Sequence, residues 1–240
     1  MRKASSFRGP RTTLAPTLSA MPADSAPAGD DPSFVDLVLV ERDVYWRVLS
    51  LDYQAEQFAV FHRSALTRWT HYVGTQVIVW GFLLLTMQWH VGPVPVVAVV
   101  AVGLIAWYVQ LDRVVGVVAG IDVLALLLAA VASAQGLGPW AAVIVLLVAA
   151  AAQNVSHSVE PVPPVLTGRG FETFAVYWAQ ASAWHRVRLL LLNLLYLPLE
   201  LVSAPRLFPV HVMRAMQRFG WHTEQAADVE ARAVAILATA

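Results

Sequence analysis

The chain has 240 residues, 58% of them hydrophobic and only 13% charged, with a mean hydropathy of +0.60. Soluble domains carry about 25% charged residues, so this composition excludes an ordinary soluble fold and points to an integral membrane protein. Sixteen basic residues balance sixteen acidic ones, which leaves no basic face for nucleic acid. The absence of cysteine excludes disulfides, thiolate metal sites and a cysteine nucleophile, so any metal ligand must be His, Asp or Glu.

Residues 1–33 are rich in Ala, Pro and Ser, carry Arg2, Lys3, Arg8 and Arg11 early, and show no apolar period. A disordered tail is expected there, without the apolar core of a signal peptide. Its basic start has the look of a transit peptide, but Asp24, Asp30 and Asp31 follow, and a plain Ala/Pro-rich tail fits better. Residues 34–61 mix apolar and charged positions at spacings near three and four, as in Val40, Val44, Val48 and Leu51. This predicts an amphipathic helix, too charged to cross a bilayer, lying on the membrane surface or against the bundle.

Four apolar segments follow: Tyr72–Trp89, Pro93–Leu111, Val114–Ala134 and Trp140–Val155. A spanning helix needs about 17 to 25 apolar residues; the first three segments qualify, and the fourth does if its helix continues through Gln153 to His157. The links His90–Gly92, Asp112–Arg113 and Gln135–Pro139 are short and carry Gly or Pro where turns need them. The expectation is an all-α integral membrane protein whose core, residues 62–206, is a four-span antiparallel helical bundle. Arg63 and Arg68 precede the first span, Arg113 joins the second to the third, and Arg169, Arg186 and Arg188 follow the fourth, while the other links have no basic residue. The positive-inside rule then puts both termini, His62, His71, His157 and Glu160 on the cytoplasmic side, with His90 opposite. Leu189–Val202 is apolar but short and flanked by arginines. It is expected as an interfacial or re-entrant helix pair broken near Pro198 and Pro205, a fifth span being the less favoured alternative. Residues 207–240 are expected as a cytoplasmic amphipathic tail.

Two polar edges of this bundle carry candidate chemistry. In HRSALTRWTHYVGTQ, residues 62–76, His62 and His71 are nine positions apart. On one uninterrupted helix that spacing sends them to opposite faces. A shared ion therefore needs a break, for which Ser64, Thr67 and Thr70 supply capping hydroxyls; the first span is expected to begin after Thr67, with His71 in its first turn. In AQNVSHSVEPVPPVL, residues 152–166, Gln153, His157 and Glu160 fall at i, i+4 and i+7, on one helical face. Pro161 disfavours a helical Glu160, so its carboxylate is expected on the departing loop. At both edges the bland alternative is a hydrated, interfacial set of side chains. A shared ion requires the Cβ atoms of His71 and His157 within about 10 Å, since imidazole nitrogens bind at about 2 Å. Asp122 in mid-span is expected to be structural, paired with a polar group such as Gln110. His185, His211 and His222 have arginine neighbours and are expected to be solvated or at lipid headgroups. Most of the nine tryptophans fall at predicted interfaces as anchors. There is no phosphate loop, dinucleotide fingerprint or nucleophile elbow.

These two edges resemble the signatures of the yeast 2-hydroxy fatty acid dioxygenase family and its bacterial relatives, small multi-pass membrane proteins. One signature, a His followed nine positions on by His-Tyr-x-Gly-x-Pro leading into a span, is matched by His62, His71, Tyr72 and Gly74. The other, Gln-x-x-x-His followed by Glu and Pro, is matched by Gln153, His157, Glu160 and Pro164. The resemblance covers residues 55–205 and departs from the family at Thr67 (Asn in the family), Gln76 (Pro) and Ser156 (Gly). It implies an Fe(II)-dependent dioxygenase that uses O2 to shorten a 2-hydroxy fatty acid by one carbon. It implies His62, His71 and His157 as metal ligands and Glu160 as fourth ligand or orienter. Arg63 or Arg68 would neutralise the substrate carboxylate, and Gln153 and Thr67 would support the ligands from behind. The bacterial plasma membrane, or alternatively the endoplasmic reticulum membrane, is the implied location. Two other classes stay open: a haem-binding electron-transfer membrane protein using two of the histidines as axial ligands, and a non-catalytic bundle that binds lipid or a partner.

Overall fold

The computed structural model describes residue 47 and residues 49–162, 171–195 and 197–239; the expected tail 1–33 and segment 34–46 lie outside the described residues. The described chain is predominantly helical, with nine α-helices and one two-stranded bridge. Helix α1, Leu51–Phe61, starts at Ser50, whose Oγ accepts the Tyr53 N–H. After a break at His62–Ser64, α2 runs from Ala65 to Thr86, capped by Ser64 Oγ on the Thr67 N–H at 3.1 Å. The first link is a small hairpin of β1, His90–Val91, and β2, Val94–Pro95, turned by Gly92 at φ +60°, a left-handed conformation that glycine adopts without steric cost.

Helices α3, Val96–Leu111, and α4, Arg113–Ala134, meet at Asp112, whose carboxylate caps α4 through the N–H groups of Val114 and Val115. Their packing is close enough that a Cβ on Gly116 would lie 2.4 Å from the Tyr108 backbone carbonyl. Helix α5, Pro139–Ser156, has Pro at its first position, where the missing N–H costs nothing, and tightens into a 3-10 turn at His157–Val159. Then come α6, Phe171–Gln180; α7, Ala183–Leu195; α8, Leu197–Gln217; and α9, Thr223–Thr239.

The centre of the fold is α2, which packs on α5, α4, α8 and α3. On its α5 side Gly74 abuts Gln153 and Gly81 abuts Leu146, a descending register that makes the two helices antiparallel and brings the start of α2 to the end of α5. Helix α1 lies against the bundle, burying Phe58, Ala59, Val60 and Phe61. It is clamped to α9 by an Arg232–Glu56 ion pair and a Gln225 to Asp52 hydrogen bond.

Among the described residues, Arg113–Ala134 and Pro139–Val159 are the two helices long and apolar enough to cross a membrane. Large apolar side chains stand exposed along both, Ile121 and Leu128 on α4 and Ile144 and Val148 on α5. Helix α3, at 16 residues, begins three residues later than the expected span because residues 90–95 are taken by the hairpin.

The C-terminal third differs from expectation. Helix α8 is not broken at Pro205 but continues through both Pro205 and Pro209. Pro209 has no N–H to offer the carbonyl of Pro205 four residues back, and the Tyr108 hydroxyl takes that role at 2.7 Å. The carbonyl that Pro209 leaves without a helix donor is thus met from α3. Residues 207–217 are accordingly not a tail: Phe208, Val210 and Met213 are buried in the core, and α9 packs on α1.

Candidate metal centre

His62 occupies the break between α1 and α2. Its ring stacks on Phe58, centroids 4.0 Å and planes 12° apart, and its Nδ1–H donates to the Phe58 carbonyl at 2.9 Å. A carbonyl only accepts, so Nε2 carries the lone pair. That nitrogen is buried and has no hydrogen-bond partner among the described residues. His71 repeats the arrangement one helix on, its Nδ1–H donating to the Thr67 carbonyl at 3.0 Å. It lies in the second turn of α2 rather than the first, because Ser64 caps the helix and Thr67 is already inside it. The helix-terminus field expected to act on His71 is correspondingly weaker there.

His157 sits where α5 gives way to the 3-10 turn, with Nε2 3.1 Å from Nε2 of His71 and a buried Nδ1 without a partner among the described residues. The three rings meet pairwise edge-on, with centroids 4.3 to 4.8 Å apart. Two imidazole nitrogens bound at about 2.1 Å to one ion, at angles between square and tetrahedral, stand roughly 3.0 to 3.4 Å apart; the His71–His157 separation falls in that interval. One nitrogen from each of His62, His71 and His157 lies within 4.8 Å of the others, and all three residues are buried, so the trio can hold a metal ion. Burial, reinforced by His71, His157 and His211, holds the His62 pKa well below its ordinary value. The ring is neutral, the form that binds metal.

Glu160 belongs to the scaffold of this trio. Its Oε2 accepts the Arg63 N–H at 2.9 Å and its Oε1 the Ser64 N–H at 2.8 Å, so the buried carboxylate clamps the break that presents His62. Glu160 itself is extended, as the following Pro161 requires. This geometry matches an orienting role rather than ligation. Thr67 is a second brace: its hydroxyl donates to the Ser156 carbonyl at 2.9 Å while its own carbonyl holds His71. Gln153 donates to Thr75 Oγ1 at 3.3 Å, across the space that Gly74 leaves open; a Cβ there would come within 2.7 Å of the amide nitrogen.

Arg63 and Arg68 are the arginines expected to meet a substrate carboxylate. The Arg63 guanidinium pairs with Glu230 of α9, and Arg68 is exposed. Asp122 accepts from Gln76 at 2.7 Å rather than from Gln110, which supports a structural role. His185 pairs with Ser182 and His222 with Gln225; neither joins the trio.

His211, expected to be solvated or at lipid headgroups, is not. It is buried beside the trio, edge-on to Phe58 and Tyr72, with Nε2 3.3 Å from Thr75 Oγ1. Burial, then the neighbouring His71 and Arg214, push its pKa down to about 3. The nearby arginines suggested solvent, but Ala204, Phe208 and His211 fall at i, i+4 and i+7, a buried stripe that periodicity would have found. Arg214, whose guanidinium stands 5.0 Å over the Phe58 ring, was missed for the same reason.

Comparison with family models, curated proteins and solved structures finds no match for this chain, so the functional reading rests on the residues and their arrangement.

Proposed function

We propose that this chain is a membrane-embedded, non-haem Fe(II) dioxygenase that shortens 2-hydroxy fatty acids by one carbon, a divergent relative of the yeast 2-hydroxy fatty acid dioxygenase family. The observation that carries the reading is the convergence of His62, His71 and His157, buried and with two tautomers fixed by backbone carbonyls. They lie at one end of an apolar bundle. The donor set suits a borderline metal and leaves coordination positions open. The reading takes α2 to α5 as a four-span antiparallel bundle with the trio at the cytoplasmic edge. It is supported by the apolar side chains exposed along α4 and α5, a surface that water would penalise and acyl chains would cover.

The overall reaction balances as a 2-hydroxy acid plus O2 giving the acid one carbon shorter, CO2 and water, with the four electrons of the substrate passing to oxygen. A bound iron supplies the one-electron chemistry that O2 requires. The chain's own contribution is to hold neutral imidazole donors in place, with Phe58 and Thr67 carbonyls behind His62 and His71 and the Glu160 clamp behind the break. Burial excludes bulk water from the reacting end. The haem alternative is disfavoured by the same geometry: three rings in mutual edge contact leave no gap for a macrocycle between any two of them.

The test is aerobic incubation of the purified, iron-loaded protein with a 2-hydroxy fatty acid, following oxygen uptake and the shortened acid. Absence of both in a preparation that retains metal would turn the reading toward a three-histidine zinc site, a donor set also known for hydrolytic and hydration chemistry.

A further inference from the structure

One helical turn beyond the histidine trio, α2 and α5 carry a second buried polar tier. Thr75 lies four positions after His71 on α2, Gln153 lies four before His157 on α5, and Gln153 Nε2 donates to Thr75 Oγ1 at 3.3 Å. His62 completes the first tier from α1. His211 completes the second from α8, with its Nε2 3.3 Å from Thr75 Oγ1. The proton count gives this chain a direction. Thr75 Oγ1 accepts from Gln153, and among the described residues the acceptor within reach of its single hydrogen is His211 Nε2. A second route leads from His211 to the trio. Phe58, four positions before His62, holds that histidine twice: its carbonyl accepts the Nδ1–H at 2.9 Å and its ring stacks at 4.0 Å. His211 meets the same ring edge-on, centroids 4.9 Å apart, and Arg214 stands 5.0 Å over it. The ring that backs His62 is therefore itself fixed from α8.

We propose that His211 is a positioning residue of the metal centre. It fixes the plane of His62 through the Phe58 ring, and through Thr75 and Gln153 it sets the spacing of α2 and α5 and with it that of His71 and His157. The inference rests on the three-histidine centre, and not on the iron or the fatty acid of the proposed reading. Packing alone does not account for an imidazole at this position, because a buried polar ring carries a desolvation cost that an apolar side chain avoids. That cost is offset where its nitrogen is used, and here it serves Thr75. A buried hydrogen-bond chain whose members are paired admits one arrangement of the helices that carry it. His211 is not among the residues whose ligand atoms converge, so its effect on the metal passes through Phe58 and Thr75.

The experiment titrates the full chain in detergent with Co(II) against a competing chelator and records the visible ligand-field spectrum, which reports the geometry of the donors. His211→Leu is expected to weaken cobalt binding by about tenfold to a hundredfold, the usual cost of losing a group that orients metal ligands, and to change the spectrum at saturating cobalt. His211→Gln offers Thr75 an acceptor again, and His211→Phe offers Phe58 a ring edge; each should recover part of the loss. Thr75→Val should weaken the wild-type site and cost less in the His211→Leu background than alone, because the two residues share a route. A His211→Leu protein with wild-type affinity and spectrum overturns the proposal even if its Tm falls, and leaves His211 a packing residue. Should His211→Leu fail to fold, Thr75→Val decides, since it removes the hydroxyl at nearly constant volume: a weakened and spectrally altered cobalt site supports the proposal, and a wild-type site overturns it. A wild-type chain that takes up no cobalt overturns both this proposal and the metal centre. Dependence on His211 in a chain that does not turn over a 2-hydroxy acid supports the positioning role and removes the dioxygenase reading alone.

Discussion

Nε2 of His71, near the start of α2, stands 3.1 Å from Nε2 of His157, at the end of α5. Without a cation one of these nitrogens must donate a hydrogen to the other, leaving buried lone pairs elsewhere in the trio unmet; with one, all three rings can turn a lone pair to it. Metal is therefore expected to stabilise the fold. At a free metal concentration of one hundred times Kd the gain is about 2.7 kcal/mol, read as a rise in Tm over the chelated protein. His71→Ala and His157→Ala should each abolish stoichiometric metal and that rise together.

Glu160→Gln keeps the shape of the clamp but removes the charge that two backbone N–H groups share. Outer groups that orient metal ligands typically cost 10- to 100-fold in affinity when changed, and a loss in that range of about 10- to 100-fold is expected here. A metal titration against a competing chelator measures it, and retention of full affinity would show that the break at His62–Ser64 holds itself.

Tyr108→Phe should destabilise the protein by about 1 to 3 kcal/mol, because the Pro205 carbonyl then has no donor inside the helix or outside it. Chemical denaturation in detergent checks the size. Gly116→Ala is expected to act at the same α3–α4 contact through overpacking, at roughly 1 to 3 kcal/mol or more, since the obstacle is backbone that has no rotamer to move.

Acid should weaken the fold partly through His211. Its folded pKa is about 3 against an unfolded value of about 6.5. Between these the unfolded state binds the extra proton, so stability is fully present above pH 6.5 and is lost as pH falls toward 3. The metal-free protein is expected to show this loss, and His211→Gln to flatten it over that window. An unchanged pH profile in the variant would mean that other groups carry the acid sensitivity.

The parts legible in the sequence were those set by local rules. The hydroxyls of Ser64 and Thr67 announced a break between two helices, although the second helix starts at Ser64 rather than after Thr67, and Pro161 announced an extended Glu160; the apolar runs announced α4 and α5 within a residue or two. What escaped depended on distant partners. Pro205 and Pro209 have the chemistry of helix breakers, and Tyr108, 97 residues away in sequence from Pro205, meets the carbonyl that Pro209 leaves without a helix donor. His211 was obscured by Arg214 and Arg218, whose charges imply water when read along the chain but lie beside a buried stripe once α8 packs on α1 and α2. Asp122 needed a partner on another helix, and the choice of Gln76 over Gln110 is a matter of inter-helix register. The pairing of His71 with His157 was reachable only by combining charge topology with the resemblance.

Metal content and oxygen uptake, measured on one preparation of the wild-type chain and of His157→Ala, test the three-histidine iron site most directly. The expected result is about one iron per wild-type chain, held by three imidazoles. Oxygen consumption should require a 2-hydroxy fatty acid and yield the acid one carbon shorter, with iron and uptake both lost in the variant. A wild-type protein that retains no metal, or a His157→Ala variant that consumes oxygen at the wild-type rate, would contradict the assignment.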